Sequence, residues 1–332
     1  MEKMLYNNLI NNIKCKYIFK QIFEKLKQKI LLDIIKYNKN IQKILDINLN
    51  NYKTYKKIEI EIIPIINKKE ENKFINIKDE FKSYYHIYFN DDKNEINRDY
   101  YTKNDGIKKI KIIIDEEIKK KKITKDDKVT KIKIILNHKI KSLSGLFYYC
   151  RSIKKINFIK FNRIDINNMS FMFFSCKSLK QINLNNFNTN NVKDMKYMFC
   201  DCSSIEKLNL NSFNTSNAIN MSFMFFGCSA LKELNLNNFD TNNVTNMQSM
   251  FFKCTSLKRL NLIYFNTYNV TNMEYMFSEC SSLKELYINN FNIDKVVYMN
   301  YMFSGCSEEL KMKIKNKIIN IKEEAFEDID LF

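Results

Sequence analysis

The residues in this chain whose chemistry invites the first question are its cysteines, methionines and two histidines. Seven cysteines stand at 150, 176, 202, 228, 254, 280 and 306, and every gap is 26 residues. A row of thiols can hold zinc, pair as disulfides or act as nucleophiles. Zinc asks for ligands clustered as C-x₂₋₄-C with a partner pair. Only Cys200-Asp201-Cys202 comes near, and it is one residue too short. Seven is odd, so the row cannot pair off completely within itself. Cysteine also behaves as a small apolar residue, and core packing is the expected role here. His86 sits in Tyr84-Tyr85-His86-Ile87-Tyr88, and no motif places a nucleophile near His138. With 4 Gly and 1 Pro, there is no G-x-G-x-x-G, no Walker loop and no G-x-S-x-G elbow. The sequence reading therefore assigns no catalytic residue, no metal and no cofactor, and takes the chain not to be an enzyme.

The spacing says more about the elements that carry these residues. Met169, Met195, Met221, Met247, Met273 and Met299 keep the same period, as do the Met-Phe pairs from 172–173 to 302–303 and Phe161, Phe187, Phe213, Phe239, Phe265 and Phe291. A fixed period of this length marks a stacked array. Six units run over 153–308. A degenerate seventh precedes them, with Ile132, Ile135, Ile140, Leu143, Leu146, Phe147 and Cys150 in the equivalent places.

In the unit 231–256, Leu231-Lys232-Glu233-Leu234-Asn235-Leu236 alternates like a short strand. A polar turn follows around Phe239. Val244, Met247, Met250, Phe251 and Cys254 then come at helical spacing, with Asn243 as N-cap. The expected fold class is α/β: coils of one short parallel strand and one short helix, stacked through nearest neighbours.

L-x-x-L-x-L-x-x-F followed by V-x-x-M-x-x-M-F-x-x-C resembles the BspA-like leucine-rich repeats, and more closely the mycoplasma lipoprotein-associated 26-residue repeat of unknown function. The resemblance covers about 127–308. It implies a right-handed leucine-rich solenoid used for binding, often at cell surfaces. Two departures stand out. Phe occupies the place where ordinary leucine-rich repeats carry Asn or Cys, and the N-terminus shows no secretion signal.

The formal charge of +18 is uneven: +15 over 1–152, +4 over 153–308 and −1 over 309–332. A basic field attracts nucleic acid or anionic membrane, but a lysine-rich solvated surface accounts for it, and nucleic acid is not the expected partner. The abundance of Ile, Lys and Asn with no Trp is read as partly mutational bias. No apolar run reaches the ~20 residues of a membrane helix, so no membrane span is expected and the location is read as cytoplasmic, with the cell surface as alternative.

Four regions result: a basic helical module at 1–50, an irregular α/β region at 51–126, the solenoid at 127–308 and a C-terminal cap at 309–332. The segment Tyr17 to Leu26 faintly resembles an F-box start.

Two surfaces are candidates for a protein partner of unknown identity. The first is the sheet face, with Asn157, Asn183, Asn209, Asn235, Asn261 and Tyr287 beside Lys207, Glu233, Arg259 and Glu285. A sheet of six steps at ~4.8 Å is about 29 Å long. The alternative reading is an amide ladder satisfied by its own neighbours. The second is the helix side. At 100° per residue, Phe171, Tyr197, Phe223, Ser249, Tyr275 and Tyr301 lie opposite the core, and Cys200 lies on the outer phase beside them. The alternative is that the segment is a 3₁₀ turn, or that the rings pack between coils. The function expected is a non-enzymatic protein-binding scaffold or adaptor. The alternatives are a BspA-like surface adhesin or an F-box-like ubiquitin-ligase adaptor acting through the N-terminal helices.

Overall fold

The computed structural model describes residues 58–65, 85–89, 131–136 and 141–329, apart from 162, 164 and 319. The helical module expected at 1–50, its F-box-like stretch and His138 lie outside the described residues. The rest is a regular stack of 26-residue coils. One residue per coil, from Ser142 through Asn168, Asp194, Asn220, Asn246 and Asn272 to Tyr298, bridges in parallel to its equivalent in the next coil.

The segment expected to be a helix is not one. Among the described residues the single α-helix, α1 (Glu308–Lys315), lies after the last coil. From Met169 to Cys176 the backbone instead makes consecutive tight turns. Met172, Phe174 and Cys176 donate to the carbonyls three residues back, whereas Met169, Phe171, Phe173 and Ser175 donate across to Asp194, Lys196, Met198 and Cys200 of the next coil. The switch requires a left-handed residue twice per coil. Phe171, Tyr197, Phe223, Ser249, Tyr275 and Tyr301 fill one such column, with φ between 52° and 58°. Ser175, Asp201, Lys253 and Glu279 fill the other, joined by Gly227 and Gly305. A helix would have kept every N–H inside its own coil; the alternating φ turns half of them towards the neighbour. Left-handed backbone costs a non-glycine residue roughly 1–2 kcal/mol, which the inter-coil bonds offset. Asn243 is accordingly no N-cap: its amide donates to the Ser216 carbonyl at 2.7 Å.

The strands are the less continuous side. Here β1 is Ile58–Pro64, β2 Tyr85–Phe89, β3 Ile132–Leu136, β4 Ile153–Phe161 and β5 Gln181–Asn183. They are followed by β6 (Lys207–Leu208), β7 (Glu233–Leu234), β8 (Arg259–Asn261) and β9 (Glu285–Tyr287). β4 pairs with β5, β6 with β7 and β8 with β9, all parallel. The expected unbroken sheet is thus three parallel pairs, and the continuous backbone ladder runs along the turns.

Asparagine or aspartate has a structural job at three corners of the coil that runs through Asn235. Asn235 Oδ1 accepts from the Asn237 N–H, Asp240 Oδ1 from Asn242 and Asn246 Oδ1 from Gln248, at 3.0, 3.0 and 2.9 Å. Such side-chain turns close the chain without glycine. Inside, identical side chains stack on their equivalents. Phe147, Phe173, Phe199, Phe225, Phe251, Phe277 and Phe303 form one column with ring centroids 5.2–5.9 Å apart. Offset-stacked pairs contribute about 0.5–1.5 kcal/mol each beyond burial.

Both ends of the stack are closed. At the first, β3 and β4 point the same way but are not neighbours: β1 lies between them, antiparallel to both, and β2 pairs antiparallel outside β3. Ile58, Ile60 and Ile62 are fully buried, while Glu59 and Glu61 pair with Lys133 and Lys131. Because β3 is paired along its length, it buries Ile132, Ile134 and Leu136 in strict alternation; Ile135, which the repeat pattern placed in the core, is only half-buried. At the other end Tyr301 and Phe303 donate to the carbonyls of Glu324 and Ala325, and Phe326 stacks on Phe303 at 5.3 Å.

Candidate partner-binding surfaces

The cysteine row is part of the core's hydrogen bonding. Cys176, Cys202, Cys228, Cys254, Cys280 and Cys306 each donate Sγ–H to the carbonyl of the inner-column phenylalanine of the preceding coil, from Phe147 to Phe277, at 3.0–3.2 Å. All are free and buried. Burial pushes their thiols up, Cys228 and Cys306 to about 12, so the thiolate needed for nucleophilic chemistry is scarce. Cys200, expected on the outside, is also buried, and its thiol is raised by burial first and by Asp201 second. Among the described residues no group of three or more His, Cys, Asp or Glu side chains could hold a metal ion. Likewise, no helix among them is long and apolar enough to cross a membrane.

On the sheet face the asparagines point outward but serve the chain itself. Asn183, Asn209, Asn235 and Asn261 each accept the N–H two residues on, at 3.0–3.1 Å. Asn183 also donates to Asn157 at 2.9 Å. Lys207 pairs with Glu233 at 3.1 Å and Arg259 with Glu285 at 3.0 Å, all well exposed. Tyr287 donates its hydroxyl to Glu285 at 3.0 Å. The face is thus polar, neutralised in pairs and engaged in its own turns; of the two readings, the self-satisfied ladder describes its oxygens.

The turn edge is different. Phe171, Tyr197, Phe223, Tyr275 and Tyr301 are half-buried: neither free in solvent, as the helical phase would put them, nor sealed between coils. Phe171 stacks on Tyr197 at 4.6 Å and Tyr197 on Phe223 at 4.3 Å, planes within 7°. Ser249 interrupts the column and is buried. There the stack changes column. Phe223 meets Phe226 at 5.8 Å, Phe226 stacks on Phe252 at 4.7 Å, and Phe252 meets Tyr275 edge-on at 6.2 Å. Tyr275 then stacks on Tyr301 at 5.3 Å. At the other end Tyr148 stacks on Phe174 at 5.0 Å. The two columns complement each other. Tyr197 is followed by Cys200, Tyr275 by Ser278 and Tyr301 by Ser304, while Ser249 is followed by Phe252. Every coil keeps at least one ring on this edge. Neither column shows this alone; compared within each coil, the two show it in the sequence.

Stacked 26-residue coils, a parallel turn ladder, paired short strands and a buried Phe/Cys interior define a repeat protein. Its sequence matches the family described as "Mycoplasma protein of unknown function, DUF285" over residues 141–259 and 227–325. The chain belongs to that family, with two overlapping copies of its pattern. No curated protein and no solved structure matches it.

Proposed function

We propose that the array is a right-handed leucine-rich solenoid of the BspA-like type, acting in the cytoplasm as a non-enzymatic protein-binding scaffold whose partner docks on the turn edge. The observation that carries this reading is the ring kept in every coil on a half-exposed edge. Core packing alone does not need it, since the interior already has its own Phe columns. Contiguous apolar surface marks an interaction site, and aromatic side chains dominate such sites. The sheet face is the weaker candidate because its charges are paired and its amide oxygens are used.

Affinity capture from the native cell with wild-type protein and with the triple variant Phe171→Ser, Phe223→Ser, Tyr275→Ser tests it. The expected result is a partner held by the first and lost by the second, while the variant still unfolds cooperatively. A partner retained by the folded variant would refute the turn edge as the docking surface.

A further inference from the structure

We propose that the corner where each coil passes from its turns into its strand binds the phosphodiester backbone of a nucleic-acid duplex. This corner lies apart from the aromatic turn edge and is independent of what docks there.

Three columns meet at the corner. The first, one residue past each core cysteine, holds Arg151 and Lys177, then Ser203, Ser229, Thr255 and Ser281. The second holds Lys154, Lys180, Glu206, Lys232, Lys258 and Lys284. The third, next along the chain, holds Lys155, Gln181, Lys207, Glu233, Arg259 and Glu285. Burial fixes the side on which they stand: Cys176 and Leu179 are fully buried, whereas Lys177 and Lys180 are exposed. Backbone bonds hold successive coils together here. Lys180 N–H donates to the Lys154 carbonyl and Lys284 N–H to the Lys258 carbonyl, both at 2.9 Å. Five steps of about 4.8 Å make the row about 24 Å long.

The charge of the array is sorted onto this corner. The three columns hold ten cations and three carboxylates, a net +7, while the rest of 141–308 holds seven cations and eight carboxylates, a net −1. Lysine-rich composition alone would spread the charge over every face. The three carboxylates are paired within the strip: Glu206 with Lys232 at 2.7 Å, Glu233 with Lys207 at 3.1 Å and Glu285 with Arg259 at 3.0 Å. Arg151, Lys154, Lys155, Lys177, Lys180 and Lys258 have no ion-pair partner among the described residues. Lys284 shares its field with Glu309 of α1, whose carboxylate pairs with Lys313. The neighbouring acids are engaged elsewhere. The Asp201 carboxylate lies against Gly227 of the next coil, Asp194 pairs with Lys196, and Glu59 and Glu61 of β1 pair with Lys133 and Lys131.

The groups around these cations are donors. Hydroxyls continue the first column. On the adjoining sheet face Asn235 and Asn261 accept the N–H groups two residues on, which leaves their NH₂ groups to donate. Lysine, arginine, hydroxyl and amide donors are the set that contacts phosphate oxygens. An acidic protein also offers oxygens, but protein interfaces draw their affinity from a few buried anchors, aromatic above all, and no apolar residue stands in any of the three columns. A phosphate backbone needs none, because counterion release supplies the affinity. Single strands are held largely by stacking bases on aromatic rings, which the strip lacks. A duplex needs no rings and is straight over 24 Å, about seven base pairs at ~3.4 Å each.

The test is fluorescence anisotropy of the full-length protein with labelled duplexes of about 24 base pairs, one DNA and one RNA, between about 50 and 200 mM salt. A strip variant carries Lys154→Gln, Lys177→Gln, Lys180→Gln and Lys258→Gln. A control of equal charge carries Lys141→Gln, Lys193→Gln, Lys253→Gln and Lys295→Gln. All eight side chains are exposed, so both variants should melt as wild type does. Wild type should bind at least one duplex. The strip variant should bind it about tenfold or more weakly at ~100 mM salt, and its slope of log K against log salt should be shallower by about 3, near one for each phosphate contact removed. The control should stay within about threefold of wild type. No binding by wild type overturns the proposal. So do equal losses in the two variants, which would make total charge responsible, and an unchanged strip variant, which would put the binding in the basic N-terminal half. Tighter binding of a poly-glutamate peptide than of either duplex overturns it in favour of an acidic protein partner.

Discussion

The thiol of Cys254 donates to the carbonyl oxygen of Phe225, 3.2 Å away and 29 residues earlier in the chain. That oxygen also accepts the Cys228 N–H at 3.1 Å. One atom thus joins a turn in its own coil to the side chain of the next. The bond recurs from Cys176 to Cys306. The Cys150 thiol donates instead to the Tyr148 carbonyl of its own coil, at 3.8 Å.

A donor at this position should matter more than its volume alone. Cys254→Ala is expected to cost about 1–2 kcal/mol, the lost bond and contacts together. Cys254→Ser keeps a donor and should cost less than alanine. A serine variant less stable than alanine in denaturant melts would show that the bond contributes nothing. The raised thiol pKa values set the pH dependence. The folded protein holds protons on these thiols that the unfolded chain releases near pH 9. Their contribution is therefore complete below that value and declines as pH rises through the folded values, about 12 for Cys228. Replacing Cys228 and Cys254 with alanine should flatten this alkaline decline.

Gly227 and Lys253 occupy equivalent left-handed places in successive coils. Gly227→Ala should destabilise by about 1 kcal/mol, since φ is +67° and the new Cβ would press against Asp201 Oδ1. Lys253→Gly should stabilise by a few tenths to about 1 kcal/mol, even after losing the lysine's contact with Phe252. In a helix interior the same glycine would cost about 1 kcal/mol. The sign of the Lys253→Gly effect in thermal melts therefore discriminates the turn spiral from a helix.

Removing residues 231–256 should leave a folded, cooperative protein. Phe225 N–H would meet the carbonyl of Met276 in place of Met250, and its ring would stack on Phe277 in place of Phe251. Each coil contacts only its neighbours, so equivalent coils can substitute. The loss should be limited to one coil's share of the denaturant slope, with β8 taking the place of β7 beside β6. Loss of a cooperative transition would contradict nearest-neighbour stacking.

The C-terminal closure depends on Asp328. Its carboxylate accepts from Gly305 N–H at 2.8 Å and, through both oxygens, from the buried Lys311 ammonium at 2.9 Å. Asp328→Ala should cost about 0.5–1.5 kcal/mol, the net worth of such bonds, because Lys311 keeps Glu308 at 2.9 Å and the exposed Gly305 N–H can turn to water. Burial opposes its charge, but Gly305 N–H and Lys311 outweigh burial and hold the carboxyl below its usual range. The stabilisation is thus present above the unfolded pKa near 4 and lost as pH falls through the lower folded value. The gap between wild type and variant should close in acid. Deleting 309–332 removes the partners of Tyr301, Phe303 and Gly305 together, and an open edge of this kind aggregates. A monomeric deletion in light scattering would argue against that.

The period, the register of the coils and the identity of the core were written in the sequence, because stacking puts the same residue into the same environment every 26 positions. Phe173, Met195 and Cys228 could each be assigned to the interior from their columns alone. The conformation between Met169 and Cys176 was not legible. Apolar residues at i, i+3 and i+7 fit a helix as well as they fit consecutive turns, and the sign of φ at Phe171 or Lys253 leaves no mark on residue type when non-glycine residues accept it. The asparagine and aspartate turns were hidden for a similar reason, since abundant Asn reads as composition until each Oδ1 is seen to accept a specific N–H. The tertiary structure alone decided where β1 goes. Its alternation marks it as a strand buried on one face, but its insertion between β3 and β4 joins partners 70 to 103 residues apart in the chain. Local pattern specifies which face of a strand is buried; only the closing of the whole stack specifies which neighbours supply its hydrogen bonds.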